Sequence, residues 1–534
     1  MDGYHAYLVA ARAEASRVIN DHVSAYLRFR TNQLVPVYRL QIPDDIFSMI
    51  FKLAVPADWQ APLEAPLTIA AVCRLWRQIA INTPRLWTRI NSRSVHGFLP
   101  RAKSAPLDIE YELCAMDRQR HSLQKFLNPL ISRSDQWRVL KIAMRRTDTP
   151  VFNDLANIPA SNLERLSVEP VGQYGYYGDH FQQNIGFDLF SGYTPRLREL
   201  ELHSLGLPLA SPIFCGLTRL RLSRIRFTES DEYLAHQLLH IATMCPKLEE
   251  LRLNRVYSTI RTNEGARSPS TPHVPLPLLR IFSLSEDHPS RITRTFLGSI
   301  QFPSTVRIEL ITDAVALLQF FPLIPNVRLI NSLRIEWSNW RIRGWDCDGH
   351  GLLILRPLRS GETVPMAVFN LIHQRYLMSN ATRLSIQIPH IEDYIECLIT
   401  TISHLPLLAH IWLTFDTRDV RGATSAMSIL SNTLARSTLR HLYLVDCPVD
   451  PGVLLEFVWS VFHRNNGQRP KHDLMALTLV NCVNIDDSTI SELESLVPLV
   501  VHITRQAKPC TLEEGEYLPS GYHFPGGQDG DGVE

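Results

Sequence analysis

The chain has 534 residues, 45% of them apolar and 20% charged, with a mean hydropathy of -0.06. That is the composition of a folded globular protein, and it excludes a wholly disordered chain, a collagen and a simple coiled coil. Lys and Arg total 54 against 53 for Asp and Glu, a formal net charge of +1, so no global basic field exists to draw nucleic acid or an anionic membrane as a partner.

At about 150 residues per domain, the length corresponds to three or four domains. The nine cysteines are dispersed, and no CxxC pair marks a structural zinc site. The N-terminus lacks the basic and long apolar regions of a secretory signal. No stretch approaches the roughly 18 apolar residues of a membrane span; the richest, residues 314–324, contains Gln319 and Pro322. The expectation is a soluble, reduced, intracellular protein, cytoplasmic or nuclear, with no cofactor and no metal.

Residues 1–35 carry Val18, Val23, Tyr26 and Leu27 at near-helical intervals and read as a solvated helical segment. Residues 36–95 form a compact apolar block. Pro43 suits a first helical turn, with Asp44 and Asp45 at the positive end of the dipole. Ile46 and Ile50, then Phe47 and Phe51, repeat at four, which gives the helix a broad apolar surface. A second helix is predicted from about Pro66, carrying Leu67, Ile69, Val72, Cys73, Trp76 and Ile79, and Asn82-Thr83-Pro84 stops it. Fifty residues with this much helix-surface hydrophobicity make a poor independent domain, so some of that surface should face another protein or the segment that follows.

The order Ile42-Pro43, Ile46, Ile50-Phe51, Val72-Cys73-Arg74, Trp76-Arg77, Ile79-Ala80, Pro84 and Leu86-Trp87 resembles an F-box. Ile42 stands where Leu is usual. The stretch VCRLWRQIAINTPRLW looks like the F-box proteins abundant in mushroom-forming fungi. The resemblance implies binding to the Skp-type adaptor of a cullin-based ubiquitin ligase. It places adaptor contacts on Pro43, Ile46, Ile50 and Phe51, with Leu67, Val72 and Cys73 matching the later apolar positions. Trp76 and Trp87 look like packing of the F-box itself. For each of these residues plain core burial is the other reading.

From about residue 105 a motif apolar at i, i+3 and i+5 keeps returning. It reads WRVLKI at Trp137, LERLSV at Leu163, LRELEL at Leu197, LTRLRL at Leu217, LEELRL at Leu248 and LRIFSL at Leu279. It continues as TVRIEL at Thr305, INSLRI at Ile330, ATRLSI at Ala381, LAHIWL at Leu408, LRHLYL at Leu439 and LMALTL at Leu474. Steps cluster near thirty, and one of 51 residues, from Ile330 to Ala381, is long enough to hide a degenerate copy around Leu352 to Leu355. Positions i+3 and i+5 share one strand face, and a lone short strand cannot bury it. Between Leu222 and Leu248, Tyr233, Leu234, Gln237, Leu238 and Ile241 follow a helical stripe that Cys245-Pro246 ends.

Helix then strand, repeated, resembles a leucine-rich-repeat solenoid. Cys447 and Cys482 each lie three residues after the motif's last Leu, the offset of Leu205, Ile225 and Val256 in earlier units. They are expected to pack inward and turn the chain.

No P-loop, GxSxG or HExxH appears, and no nucleophile has a plausible nearby base, so the chain does not read as an enzyme and no catalytic residue is assigned. WDCDGHG, with Asp346, Asp348 and His350, reads as a turn. Residues 171–194 place Tyr174, Tyr176, Tyr177, Phe181 and Tyr193 between two repeats as a possible target-binding loop. Residues 258–277 are rich in Ser, Thr and Pro, and residues 510–534 read as a disordered tail.

The expectation is an α/β chain: a helical segment over 1–35, an F-box over 36–95, a leucine-rich-repeat-like domain over 105–509, and the tail. Its expected function is to select an unknown target protein for a Skp-cullin-F-box ligase. The rival is a repeat scaffold or receptor in which the F-box-like helices only cap the solenoid; a cap would bury Ile46, Ile50 and Phe51.

Overall fold

The computed structural model describes residues 42–55, 65–112, 122–170, 183–260, 273–286, 297–312, 325–336, 341–357, 380–387, 402–415, 420–434, 439–463, 475–482 and 484–503, with single residues 17, 21, 295 and 399. Apart from Arg17 and Asp21, the expected N-terminal segment lies outside the described residues, as do Tyr174, Tyr176, Tyr177, Phe181, residues 261–272 and the tail from 510. The chain divides into two units, residues 1–112 with 136–138, and residues 113–135 with 139–534.

The first unit opens with α1 (Asp44–Ala54). Pro43 sits at its N-cap, and the Pro43 carbonyl accepts from the N–H groups of Ile46 and Phe47 at 3.1 and 3.2 Å. Asp44 and Asp45 lie in the first turn and Lys52 in the last, each facing the complementary end of the dipole. The single helix expected from Pro66 is two, α2 (Ala65–Val72) and α3 (Arg74–Ile81). Cys73 breaks them: its backbone is extended at φ -157° and its Sγ accepts from the Trp76 N–H at 3.4 Å, a cap for α3.

The expected stop holds. The Thr83 hydroxyl donates to the Ile79 carbonyl at 2.8 Å, and a 3-10 turn, Pro84–Trp87, follows. Trp87 is 1% exposed; its indole N–H donates to the Ala80 carbonyl at 2.7 Å and Phe98 meets its ring edge-on at 5.0 Å. Beyond it, β1 (Arg89–Ile90), α4 (Val95–Ala102) and β2 (Leu107–Tyr111) close the unit, with the two strands paired in parallel.

In the second unit, with Trp137 and Arg138 counted in the first, the recurring motif becomes strands of one large sheet. They are β3 (Trp137–Met144), β4 (Arg165–Pro170), β5 (Glu199–His203), β6 (Arg219–Ser230), β7 (Glu250–Ile260), β8 (Ile281–Ser285) and β9 (Arg307–Thr312). There follow β10 (Ser332–Glu336), β11 (Arg341–Trp345), β12 (Gly351–Pro357), β13 (Arg383–Gln387), β14 (His410–Thr414), β15 (His441–Val445), β16 (Ala476–Val480) and β17 (Val500–Ile503). From β3 to β9 neighbours are consecutive and parallel, and the i+3 residues pair in one row: Leu140, Leu166, Leu200, Leu220, Leu251, Phe282 and Ile308. From β13 to β16 the row resumes as Leu384, Ile411, Leu442 and Leu477. Each of these side chains is at most 2% exposed, and the i+5 residues make a second buried row, at most 4% exposed.

Between the two runs the chain departs from simple succession. β12, the degenerate copy, pairs in parallel with β9; β11 pairs antiparallel with β12 and β10; β10 pairs in parallel with β13. The spatial order is therefore β9, β12, β11, β10, β13. The i+3 row still runs unbroken, through Leu353, Gly344 and Leu333. Gly344 is needed there, because a Cβ would meet Ile330 Cδ1 at 2.7 Å.

The helix expected between Leu222 and Leu248 is α5 (Asp231–Met244). Ser230 caps it by accepting from the Tyr233 N–H at 3.3 Å, and Cys245 ends it. It buries Leu234, Ala235, Leu238, Leu239, Ile241 and Ala242, whereas Tyr233, expected in the apolar stripe, is 49% exposed. The stripe is centred one residue further on, where Ala235 and Leu239 are buried as well.

The turning residues Leu205, Ile225, Val256, Cys447 and Cys482 are all buried, as expected. Each follows a residue in the left-handed region: Ser204, Arg224, Arg255, Asp446 and Asn481, with φ between 53° and 59°. The same i+7 position bends the chain in five units, and in β6 and β7 the parallel pairing resumes just past it. No helix among the described residues is long and apolar enough to cross a membrane.

Candidate functional site

Helix α1 is apolar on two sides. Phe47 and Phe51, 3% and 1% exposed, point inward and pack against Trp76 with ring centroids 5.9 and 4.9 Å away. Ile46, Met49, Ile50 and Leu53 recur at i, i+3, i+4 and i+7 on the other side, and they are 38, 53, 46 and 87% exposed. A surface helix needs one apolar stripe for its own core; a second, in water, is the signature of a surface that another molecule covers.

The other helices add to the exposed set. On α2, Pro66 and Ile69 are buried while Leu67 and Val72 are 47 and 58% exposed. On α3, Ile79 and Ala80 are buried, and Leu75 and Ile81 are 40 and 39% exposed. Of the residues expected at an adaptor contact, Pro43, Ile46, Ile50, Leu67, Val72 and Cys73 are therefore all exposed. Phe51 is not. One hundred degrees per residue puts it on the side of Phe47, so it belongs to the core of the helical unit. Met49, Leu53 and Leu75 are open apolar residues that the sequence reading passed over; extending Ile46 and Ile50 by the helical period would have found the first two.

The sheet unit presents a second surface, formed by the i+2 and i+4 residues of the strands, which point away from the buried rows. On β4 to β9 this face is a network of opposite charges. Glu199 lies between Arg165 and Arg219 at 2.5 and 3.4 Å, Arg221 bonds Glu250 at 2.9 Å, and Glu309 bonds Arg307 at 3.0 Å and meets Arg252 at 3.7 Å. Burial pushes the Glu250 carboxyl up, but hydrogen bonds from Arg221 and Arg252 outweigh it and hold the group below its ordinary value.

On β13 to β15 the same positions hold Arg383, Ser385, His410, Trp412, His441 and Tyr443. Parallel register sets His410 on His441, with ring centroids 4.6 Å apart and planes 2° from parallel, and Trp412 on Tyr443 at 4.3 Å and 9°. His410 is lowered to about 4, by burial first and then by His441, Arg383 and Arg440.

Asp346, Asp348 and His350 form the hairpin turn between β11 and β12. Asp346 Oδ1 accepts from the N–H groups of Asp348 and His350 at 2.9 and 2.8 Å. Tyr193, from the expected target loop, is 56% exposed.

Comparison with known proteins agrees with the helical unit. A family model described as F-box-like matches residues 40–93, so the chain carries an F-box-like domain there. Among solved structures, the complex of Rad7 and Elc1 in yeast aligns over 93% of this chain and 95% of its own, at 14% identity and a TM-score of 0.20. A comparison with curated proteins finds no match.

Proposed function

We propose that the chain is the target-selecting subunit of a ubiquitin ligase of the Skp-cullin-F-box kind. The outer stripe of α1, with the exposed residues of α2, docks a Skp-type adaptor and through it a cullin. The sheet unit is a leucine-rich-repeat domain that holds a target protein. The chain then works by recruitment, raising the effective concentration of the target at the ubiquitin-transfer enzyme, and contributes no catalytic residue.

One observation carries this reading: within the F-box-like segment, Ile46, Met49, Ile50 and Leu53 form an apolar stripe left in water on a helix that already has a buried one. Burying the rest of these four side chains is worth roughly 1 kcal/mol each, enough for the centre of a stable interface. A helix serving only as a cap would have Ile46 and Ile50 covered. The parallel rows with their i+7 turns support the repeat reading, and the antiparallel insertion of β11 makes it an irregular array.

The test is co-purification with a purified Skp-type adaptor, comparing wild type with Ile50→Asp and with Leu53→Asp, and circular dichroism for folding. Adaptor binding is expected for wild type and lost in both folded variants. No binding by wild type, or undiminished binding by the variants, would overturn the proposal.

A further inference from the structure

We propose that the face of β13, β14 and β15 carrying Arg383, His410, Trp412, His441 and Tyr443 is the target-docking site, and that it takes an acidic segment of the target protein. This rests on reading the sheet unit as the target-binding part of the chain.

The argument begins with a contrast along one sheet face. On β4 to β7 and on β9 the outward positions are mostly Arg and Glu, and their charges neutralise one another across the strands. On β13 to β15 the outward positions hold no carboxylate. Arg383 there, and Arg440 at the head of β15, have no ion-pair partner among the described residues. His410, lowered first by burial and then by His441, feels the positive field of those two arginines as a smaller contribution. An anionic group placed beside the rings would relieve it.

Ring chemistry makes the second half of the argument. His410, Trp412 and His441 are half-buried, and Tyr443, 5% exposed, lies beneath them and backs Trp412, so the partly open rings are held rigidly at little entropic cost. Trp, Tyr and Arg together are the residues that dominate binding energy at protein interfaces. A cationic, ring-rich surface also suits single-stranded nucleic acid. Two arginines make no track for a phosphate backbone, however, and the charged rungs beyond the insertion are balanced by glutamates. The chemistry fits carboxylates beside an apolar or aromatic side chain better.

The probe is a fluorescein-labelled random copolymer of Glu and Tyr, titrated with the full-length protein by fluorescence anisotropy. The variants are Trp412→Ala, Arg383→Gln and, on the charged rungs, Arg165→Gln. Wild type is expected to bind and to lose affinity as salt rises. Trp412→Ala and Arg383→Gln should each weaken binding about tenfold or more, with Arg165→Gln unchanged and circular dichroism intact in all three. A copolymer of Lys and Tyr should not bind. Absence of wild-type binding, equal loss in Arg165→Gln, undiminished binding by Trp412→Ala, or tighter binding of a labelled oligo-dT would each overturn the proposal. Adaptor co-purification on the same samples keeps the two readings apart, because the ligase assignment fails there and this one fails only in the copolymer titration.

Discussion

Phe51 and Ile50 are neighbours in sequence with opposite expected responses to truncation. Phe51 is 1% exposed, with the Trp76 ring 4.9 Å and the Phe47 ring 5.9 Å from its own. Cutting it to Ala leaves a cavity that neither rigid ring can fill, at a cost of about 3 kcal/mol or more. Ile50 is 46% exposed, so Ile50→Ala removes a side chain already half in water and should cost under about 1 kcal/mol. At about 1.4 kcal/mol per factor of ten, the first change raises the opening equilibrium of the helical unit roughly 150-fold and the second less than about fivefold. Hydrogen exchange by mass spectrometry on the full chain reads this directly, in peptides covering α1 (residues 44–54) and α3 (residues 74–81). If Ile50→Ala speeds exchange as much as Phe51→Ala, or if Phe51→Ala changes it by less than about fivefold, the division of α1 into an inner and an outer stripe is wrong.

Three further outcomes follow from the sheet unit. His203 is held at about 4, by burial and then by Arg224, as His410 is. The unfolded chain takes up these protons below about 6.5 and the folded chain does not until about 4, so stability should fall as pH drops through that window. His203→Gln should recover about 1–2 kcal/mol of that loss, discounting for partial exposure, when urea midpoints at pH 7.0 and 4.5 are compared with wild type; an unchanged difference would count against the burial of the ring. Burial pushes the Cys447 thiol up to about 12 and Cys482 up to about 11, while Cys73, Cys215 and Cys347 are exposed. Iodoacetamide at pH 8 should therefore label the last three in the native protein, and modification of Cys447 before unfolding would contradict the structure. Asn481, at φ 56°, donates its side-chain amide to Asp446 Oδ1. Asn481→Gly forfeits only that bond and should lose about 1 kcal/mol, read from thermal midpoints, whereas Asn481→Val also strains the backbone and should lose about 1–2 kcal/mol more.

The sequence made the rows of the sheet legible because burial at i+3 and i+5 is a local demand, repeated unit by unit, and every strand meets it in the same register. It did not make strand direction legible. The segments INSLRI and GLLILR satisfy a period of two whichever way they run, and the reversal that places β12 beside β9 depends on β11, which carries no copy of the motif. The i+7 turn was hidden for another reason. Ser204, Arg224, Arg255, Asp446 and Asn481 share a backbone conformation but no chemistry, and only Asp and Asn among them favour it intrinsically. There the neighbouring strands impose the turn on whatever residue arrives.

Helix α1 combines both situations. Its apolar residues announced an amphipathic helix, but Ile46, Phe47, Met49, Ile50, Phe51 and Leu53 form one continuous apolar arc opposite Asp44, Ser48 and Lys52, and nothing in the sequence shows which part of that arc faces inward. What decides is Trp76, on α3, whose ring reaches Phe47 and Phe51 and leaves Ile46, Met49, Ile50 and Leu53 outside. The residue that fixes the core thereby also defines, by exclusion, the outer stripe proposed to dock the adaptor. Mutating Trp76 should then disturb adaptor binding only as far as it loosens α1, whereas mutating Leu53, 87% exposed, should abolish binding and leave the helix where it is.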